Sequence, residues 1–235
     1  GEMASDLAEK LKSGTFNQCI VFYRCLWKTL KKTARMTGDN PWEEIQKKSL
    51  VVHSRRELTV DELHRVCASL TGEMRILFAI GIYTGLRLGD CATLKWDNVD
   101  LVRRFISVIP AKTRRHGTRV KIPIHSTLAA MLAETPAEKR KGEILPQTAK
   151  KYRDTNGIVL CAEIRDIFEA CGIQTRVKDP GRKRFSTEVG FHSLRHTFVS
   201  LAANAGAPFA LVQSIVGHST AEMTRHYFHE NDDAL

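Results

Sequence analysis

The chain has 235 residues, of which 43% are hydrophobic and 26% charged, a composition typical of a globular protein with one or two domains. Lys and Arg total 36 against 26 Asp and Glu, and the net charge of +10 favours a polyanionic partner such as nucleic acid. The six cysteines form no C-x-x-C pair, and no apolar run reaches the roughly 20 residues that span a bilayer. The sequence therefore disfavours a zinc ribbon, a disulfide scaffold and a membrane protein, and it predicts a reduced, cytoplasmic chain.

The first 58 residues contain one clear helical pattern. Residues 15–37 carry apolar side chains at helical spacing and are followed by the stop signal G-D-N-P at 38–41. Because this helix has few partners upstream, residues 1–50 are predicted to be the remnant of a helical domain. A polar linker is expected at 51–58, and a second domain at 59–235.

The second domain begins with three helical segments. Thr59 opens the sequence T-V-D-E, a capping box that predicts a helix over 59–70. Residues 73–84 are apolar almost all round, as expected of a buried helix, and Gly85 ends that pattern. A short helix is expected over 87–94.

Two runs of β-forming residues follow, at 105–111 and 119–124. The segment between them contains Gly117, so they are predicted to pair as an antiparallel hairpin. The rest of the chain is predicted to be helical apart from two loops, at 136–146 and 174–190. The expected helices lie at 126–135, 147–154, 160–171, 192–205, 208–215 and 219–229. The predicted fold class is mainly α with a small antiparallel β-hairpin or sheet.

Basic side chains are concentrated around the predicted hairpin. Residues 103–121 contain seven basic residues and no acidic one. Such a segment is either a solvated surface loop or a surface that faces an anion, and composition leaves both interpretations open. The seven are Arg103, Arg104, Lys112, Arg114, Arg115, Arg119 and Lys121.

Four segments carry polar side chains that a structural role alone does not require. Taken singly, each has an ordinary explanation, such as a surface ion pair or a solvated lysine. They are T-G-L-R-L-G-D at 84–90, with Arg87 and Asp90; Lys112 in the hairpin; F-H-S-L-R-H-T-F at 191–198, with His192 and Arg195; and V-G-H-S-T-A-E-M-T-R-H-Y-F-H at 216–229, with His218 and Tyr227.

Together these side chains contain the parts needed to cleave a phosphodiester without a metal ion. Arginine forks match phosphate oxygens and stabilise the charge that develops on them. A tyrosine supplies an oxygen nucleophile where a base or positive charge is near, and histidine and lysine transfer protons. No carboxylate cluster of the D-x-D or D-D-E kind accompanies them, which disfavours a two-metal nuclease.

The order and spacing of these motifs resemble the tyrosine recombinase (phage integrase) family across residues 59–229, nearly the whole second domain. The segments at 84–90 and 191–198 resemble the family's first arginine box and its H-x-x-R box. The segment at 216–229 resembles its closing box, in which a histidine precedes the nucleophilic tyrosine by nine residues, and A-K-T-R-R-H-G at 111–117 resembles the hairpin that presents the catalytic lysine. The resemblance implies the family's catalytic-domain fold and a site-specific DNA recombinase or integrase.

The resemblance also implies a role for each matching residue. Tyr227 attacks the scissile phosphate, giving a 3′-phosphotyrosyl bond and a free 5′-hydroxyl. Arg87 and Arg195 clamp the phosphate, and His192 takes part in proton transfer.

Three more roles follow from the same resemblance. His218 donates to a phosphate oxygen, and Lys112 is the general acid for the 5′-oxygen. Asp90 supports the first arginine box, at a position where the family usually has Glu. The expected DNA contacts in the basic segment are Arg103, Arg104, Arg114, Arg115, Arg119 and Lys121.

The implied partner is double-stranded DNA with a specific recombination site, bound by a homo-tetramer that assembles from monomers. No cofactor or metal ion is implied, because the phosphotyrosine conserves the energy of the broken bond. Family members carry a complete helical core-binding domain, and residues 1–50 match only its last helices; many also have a longer tail than the eight residues after Tyr227. The chain is thus expected to be part of a longer protein or a minimal member from a bacterium, phage or mobile element.

Three other functions remain open at this point. A type IB topoisomerase or telomere resolvase uses the same cleavage chemistry with a different outcome. A non-catalytic DNA-binding module needs only the basic segment, although binding alone does not require Tyr227. A metallohydrolase needs a histidine cluster, but Ser193 stands where the H-E-x-x-H motif has its glutamate. Its candidate ligands are His192, His196, His226 and His229.

Overall fold

The computed structural model describes residues 2–49, 55–111, 117–178 and 185–216. The chain forms two compact units, residues 1–53 and residues 54–235. No helix in the described ranges is long and apolar enough to cross a membrane.

The described part of the first unit contains two helices, α1 (Glu2–Lys10) and α2 (Ser13–Thr33). α2 is the helix predicted over 15–37, and it ends before the predicted stop. Phe16 and Ile20, four residues apart on one face, are 3% and 0% exposed. α1 is the upstream partner that the sequence pattern did not reveal.

The chain that follows α2 returns along the helix without regular structure. Arg24 on α2 donates hydrogen bonds to three backbone carbonyl groups of this following segment. Nε donates to Trp42 O (2.8 Å), and Nη2 donates to Glu43 O (2.6 Å) and Ile45 O (2.9 Å). The ring of Tyr23 stacks on that of Trp42, with centroids 4.4 Å apart. One arginine and one aromatic pair therefore fix this segment against the helix.

The second unit is mainly helical. Its described residues include two short 3₁₀ helices, at Trp96–Asn98 and Ala137–Lys139. Its described α-helices are α3 (Val60–Ser69), α4 (Gly72–Thr84), α5 (Leu88–Ala92), α6 (Ser126–Ala133), α7 (Pro146–Thr155), α8 (Ile158–Ala170), α9 (Phe191–Asn204) and α10 (Phe209–Val216).

The capping box predicted at Thr59 is confirmed. The Thr59 hydroxyl accepts the Glu62 N–H (3.2 Å), and the Glu62 carboxylate accepts the Thr59 N–H (2.9 Å). Arg56 donates to both oxygens of the same carboxylate (2.8 and 2.7 Å), which lowers the pKa of Glu62 to about 2. Leu58 is 4% exposed within the core of the second unit, so residues 55–58 pack as part of that unit.

α4 runs through the centre of the second unit, as its uniformly apolar sequence predicts. Leu77 and Phe78 are fully buried, and the ring of Phe78 packs against those of Phe168 on α8 (5.6 Å) and Phe191 on α9 (5.9 Å). A Cβ atom at Gly81 would lie 2.7 Å from Cζ of Phe191, so only glycine permits this approach of α9 to α4. α9 carries two of the site residues discussed below, and this packing sets its position.

The predicted hairpin is confirmed and is part of a three-stranded antiparallel sheet. Its strands are β1 (Val99–Asp100), β2 (Phe105–Val108) and β3 (Val120–Pro123), in that order. Ile106 pairs with Ile122, and both face the core. β1 has only two residues, too few to produce an alternating pattern, which explains why the sequence did not reveal it.

The prediction of a loop at 174–190 is wrong in part. β4 (Arg176–Val177) and β5 (Ser186–Thr187) pair as a second antiparallel sheet. The carbonyl of Thr175 also accepts the N–H groups of Glu188 (2.9 Å) and Val189 (3.3 Å). Each strand has only two residues, too few to produce an alternating pattern, so the sequence does not reveal them.

The remaining helices agree with the sequence pattern to within a few residues. α6 to α10 correspond to the helices expected from 126–135 to 208–215. The helix expected at 219–229 lies outside the described residues.

Candidate active site

Arg195, on α9, joins three of the sequence motifs through one guanidinium group. The residue is 3% exposed, Nη1 donates to Gly85 O (2.8 Å), and Nη2 donates to Val216 O. Burial is the main cause that lowers the pKa of Arg195 to about 10, and the nearby charge of Arg87 adds to it. The group remains protonated at neutral pH, and two of its five N–H donors are committed to these carbonyls.

Arg87 follows the turn that Gly85 makes at the end of α4. Gly85 adopts a left-handed conformation (φ 62°), and a Cβ atom there would lie 2.6 Å from the ring of Phe198 on α9. The turn therefore needs glycine for both its conformation and its packing, and it confirms the predicted end of the helix. Arg87 itself is half-buried, and its side chain has no hydrogen bond or ion pair among the described residues.

Asp90 contacts the start of the hairpin loop and forms no ion pair with Arg87. Its Oδ1 accepts the backbone N–H of Ala111 (2.9 Å), the residue immediately before Lys112. Asp90 also favours the charged form of Arg195 through its negative charge. The carboxylate thus connects the first arginine motif to the segment that carries the predicted lysine.

His192 lies in the first turn of α9, half-buried among cationic groups. Its ring is nearly perpendicular to that of His196, with centroids 5.0 Å apart. Burial, followed by the charges of His196, Arg195, Arg55 and Arg87, lowers the pKa of His192 from 6.5 to about 3. The imidazole is therefore neutral at neutral pH and has one nitrogen that accepts a hydrogen bond and one that donates.

Hydrogen bonds of Ser193 and Thr197 hold the first two turns of α9 in place. The Ser193 hydroxyl accepts the N–H of Gly190 (3.3 Å), and the Ser193 N–H donates to Gly190 O (2.8 Å). One turn later, Thr197 Oγ1 accepts the N–H of Leu58 (2.9 Å) and donates to Ser193 O (2.9 Å). Segment 55–58 is thereby fixed against the helix that carries His192 and Arg195.

A cavity of about 600 Å³, here called the basic cavity, lies beside Arg87 and His192. Its described lining contains four arginines and no Asp or Glu. Only Arg165 among them has an ion pair within the described chain, with Asp166 (2.9 Å) and a longer contact to Glu169. The arginines are Arg55, Arg87, Arg165 and Arg176. Such a lining is suited to an anion.

The described candidates for DNA contact in the basic segment lie around the three-stranded sheet. Arg103 and Lys121 line an open cavity of about 760 Å³, whereas Arg119 lines another of about 540 Å³ that also includes Asp90. Arg104 is exposed at the turn before β2, at the opposite end of that strand from Ala111. The two cavities share Asn98, and Arg119 Nη1 lies 3.5 Å from Ser107 Oγ, the residue that pairs with Lys121, so Arg119 and Lys121 lie on the same side of the hairpin.

Several predicted site residues fall outside the described part of the chain. They are Lys112, Arg114, Arg115, His218 and Tyr227.

Tyr152 lies at the basic cavity, and the sequence motifs do not include it. Its ring packs so closely on α5 that a Cβ atom at Gly89 would lie 2.4 Å from Oη and 2.8 Å from Cζ of Tyr152.

Arg55 and Arg176 also line this cavity, but the sequence analysis did not select them, because one lies in the expected linker and the other in the expected loop. No local sequence pattern marks residues that only the tertiary fold brings to a site.

The described residues contain no group of three His, Cys, Asp or Glu side chains placed to hold a metal ion. His226 and His229, two of the four ligands considered for a metallohydrolase, lie outside the described residues.

The model of the Phage integrase family matches residues 56–234, about three quarters of the chain. The chain therefore belongs to the phage integrase family, as its motifs indicated. The tyrosine recombinase XerC-like protein of Caldanaerobacter subterraneus subsp. tengcongensis is 24% identical over 189 residues, covering 72% of this chain and 48% of that protein. The tyrosine recombinase XerC of Pediococcus pentosaceus is 23% identical over 222 residues, covering 91% of this chain and 69% of the relative. The chain spans about half the length of the first of these relatives.

Solved structures support the same fold. The integrase of the Tn1549 transposon, in complex with transposon right end DNA, superposes with a TM-score of 0.69 at 18% identity, covering 97% of this chain and 78% of that chain. The catalytic domain of bacteriophage HP1 integrase superposes with a TM-score of 0.53 at 23% identity, covering 75% and 88% respectively. The predicted fold class, mainly α with a small antiparallel sheet, is confirmed.

Proposed function

We propose that this chain is part of a site-specific DNA recombinase that cleaves and rejoins DNA strands through a 3′-phosphotyrosine intermediate on Tyr227. The observation that carries the proposal is the position of Arg195, whose guanidinium is bonded to Gly85 O in the first arginine motif and to Val216 O at the start of the closing motif. A single buried cation thus connects the motif that contains Arg87 with the one that contains the tyrosine. The names of the relatives, recombinases and integrases, favour strand exchange over the relaxing activity of a type IB topoisomerase.

In the proposed reaction the phenol oxygen of Tyr227 attacks phosphorus, and the bond from phosphorus to the 5′-oxygen breaks. Arg87 and Arg195 stabilise the negative charge that develops on the non-bridging oxygens. His192, which is neutral in this environment, offers a nitrogen to the proton of the nucleophile or an N–H to the phosphate. His218 donates to a phosphate oxygen.

The leaving oxygen needs a proton, and we assign that role to Lys112. Asp90 is proposed as a positioning residue for this acid, because it holds the N–H of the neighbouring Ala111. When the free 5′-hydroxyl of another strand attacks the phosphotyrosine, the same steps run in reverse and the strand is resealed. The phosphodiester energy is conserved throughout, so the proposed reaction needs neither ATP nor a metal ion.

The proposed partner is double-stranded DNA that carries a specific recombination site. The DNA complex of the Tn1549 integrase supports this assignment, as does the arginine-rich lining of the basic cavity. Residues 1–50 are proposed to be the end of a helical core-binding domain and residues 59–235 the catalytic domain, working in a tetramer on paired sites. We further propose that Arg103, Arg104, Arg114, Arg115, Arg119 and Lys121 contact the DNA backbone, and that the protein acts in the cytoplasm.

Cleavage of a suicide substrate tests this function. A pool of duplexes with a randomised core and one internal nick loses a short fragment when cut, so the covalent protein–DNA product accumulates. We expect the wild-type chain to form this product in EDTA and Tyr227→Phe to form none while still binding the pool. Absence of a covalent product from the wild-type chain and from its full-length form contradicts the proposal.

A further inference from the structure

We propose that Arg55 and Arg176 hold a second phosphate of the DNA strand in the basic cavity, next to the scissile phosphate held by Arg87 and Arg195. The inference rests on the proposed function and extends it to two residues outside the family motifs. Both arginines line the same cavity as Arg87 and His192, and no carboxylate lines it among the described residues. A cavity of about 600 Å³ lined by four arginines is suited to a polyanion.

Arg55 and Arg176 both lie near the start of α9. The guanidinium carbon of Arg55 lies 3.9 Å from the position of a Cβ atom on Gly190, and Cγ2 of Thr187 lies 3.6 Å from the same point. Thr187 pairs with Arg176 in the register of the second sheet. Directly paired residues in an antiparallel sheet have Cα atoms about 5 Å apart, so the two arginines approach the same end of α9 from different segments.

Hydrogen bonds fix the backbone that follows Arg55 to the second unit. The N–H of Arg56 donates to Glu188 O (3.1 Å), and the N–H of Leu58 donates to Thr197 Oγ1 (2.9 Å). Arg56 also places its own guanidinium on Glu62. These contacts leave the side chain of Arg55 directed along Gly190, close enough for its charge to act on His192.

Within the described part of the chain, no carboxylate pairs with either guanidinium group. Neither Arg55 nor Arg176 forms a side-chain hydrogen bond or an ion pair among the described residues, in contrast to Arg56 and Arg165, which pair with carboxylates. Unpaired like charges repel one another, so the cluster favours an anion that bridges them. Arginine forks match phosphate oxygens, and one strand of DNA carries a charge about every 3.4 Å of helix axis.

Two properties follow from such a contact. Phosphate contacts carry no sequence information, so loss of either arginine weakens binding to all sequences alike. Each contact also releases a counterion, and its loss makes the slope of log K against log salt shallower by about 0.9. The contact positions the strand, and a displaced strand reduces the rate of cleavage as well.

The experiment measures the salt dependence of binding to a fluorescent duplex of mixed sequence for Arg55→Gln and Arg176→Gln. Arg65→Gln is the matched control, because Arg65 is exposed on α3 and does not line the cavity. We expect the slope to become shallower by about 0.9 in each of the two variants and to be unchanged in the control. An unchanged slope in either Arg55→Gln or Arg176→Gln overturns the proposal.

Phosphate neutralisation then locates the contact. On a duplex that the wild-type chain cleaves, single phosphates near the cleavage site are replaced by uncharged methylphosphonates. We expect one replacement beside the scissile phosphate to weaken wild-type binding and to have no further effect in Arg55→Gln. Additive losses at every position overturn the second-phosphate site. Failure of the proposed function itself is seen separately, as the absence of a covalent product from the wild-type chain.

Discussion

Nη1 of Arg195 donates a hydrogen bond to the carbonyl oxygen of Gly85, 2.8 Å away and 110 residues earlier in the chain. The left-handed conformation of Gly85 directs the turn after α4 toward α9, and the buried guanidinium satisfies a carbonyl that the helix end leaves free. The bond therefore sets the position of Arg87, two residues later, relative to Arg195. Two arginines that are proposed to hold one phosphate are thus linked through the backbone before any substrate binds.

This bond predicts that Arg195→Lys is less stable than the wild-type chain, although the charge is kept. One ammonium group does not reproduce the fork that bonds both Gly85 O and Val216 O, and an unsatisfied buried carbonyl costs about 1–3 kcal/mol. Urea unfolding measures the loss, with Arg75→Lys, an exposed position on α4, as the control. Equal stability of Arg195→Lys and the wild-type chain would show that the two carbonyl contacts contribute nothing.

The lowered pKa of His192 predicts that the folded chain loses stability in mild acid. Below pH 6.5 the unfolded chain protonates this histidine, whereas the folded chain does so only near pH 3, so the free energy of unfolding falls as the pH decreases through this range. Between pH 6.5 and 4.5 the effect is separate from that of Glu62, whose lowered pKa acts below 4.5. We expect His192→Asn to have a flatter stability profile over that interval. Parallel profiles for the variant and the wild-type chain contradict the assigned pKa.

The close contact of Tyr152 with α5 predicts that Gly89→Ala is harmful. Glycine within a helix normally costs about 0.5–1 kcal/mol relative to alanine, so the substitution would stabilise a helix in isolation. Here the new Cβ atom would overlap the phenol, and overpacking of this kind costs about 1–3 kcal/mol. We expect the loss in thermal unfolding to disappear when Gly89→Ala is made in a Tyr152→Leu background. Independent, additive effects of the two substitutions would contradict the contact.

Cleavage of DNA in which sulfur replaces the bridging 5′-oxygen identifies the residues that act on the leaving group. A thiolate departs without a proton, so sulfur is expected to restore cleavage to Lys112→Ala. Asp90→Ala should be restored in part, because Asp90 is proposed to act through the position of Lys112, and Asp90→Asn should need little rescue since its amide oxygen still accepts the Ala111 N–H. Arg87→Ala, expected to be about 10² to 10³ slower, should not be restored, because it lacks charge stabilisation. If sulfur fails to rescue Lys112→Ala, another group, with Lys121 the next candidate, is the acid.

Local sequence patterns predicted the elements whose cause is local. The Thr59 capping box, the apolar sequence of α4 and the helix end at Gly85 each depend on neighbouring residues, and each has its predicted structure. β1, β4 and β5 are strands of two residues, which are too short to have a periodicity to recognise.

The same distinction applies to the candidate site. Arg87, His192 and Arg195 were selected because their motifs have fixed spacing, and the structure places Arg87 and His192 at one cavity with Arg195 buried close by. Arg55 reaches that cavity because backbone hydrogen bonds hold segment 55–58 in place. One runs to Glu188, the residue after β5, and the other to Thr197 on α9. A tertiary contact of this kind has no counterpart in a sequence motif.

The most direct test of the account identifies the residue that becomes joined to DNA. Cleavage of the nicked suicide duplex is carried out in EDTA, the covalent product is digested, and the DNA-linked peptide is identified by mass spectrometry. We predict that the 3′-phosphate of the cut strand is attached to Tyr227 and that the released strand has a free 5′-hydroxyl. Attachment to Tyr23, Tyr83 or Tyr152, a covalent product from Tyr227→Phe, or a strict need for a divalent metal ion would contradict the account.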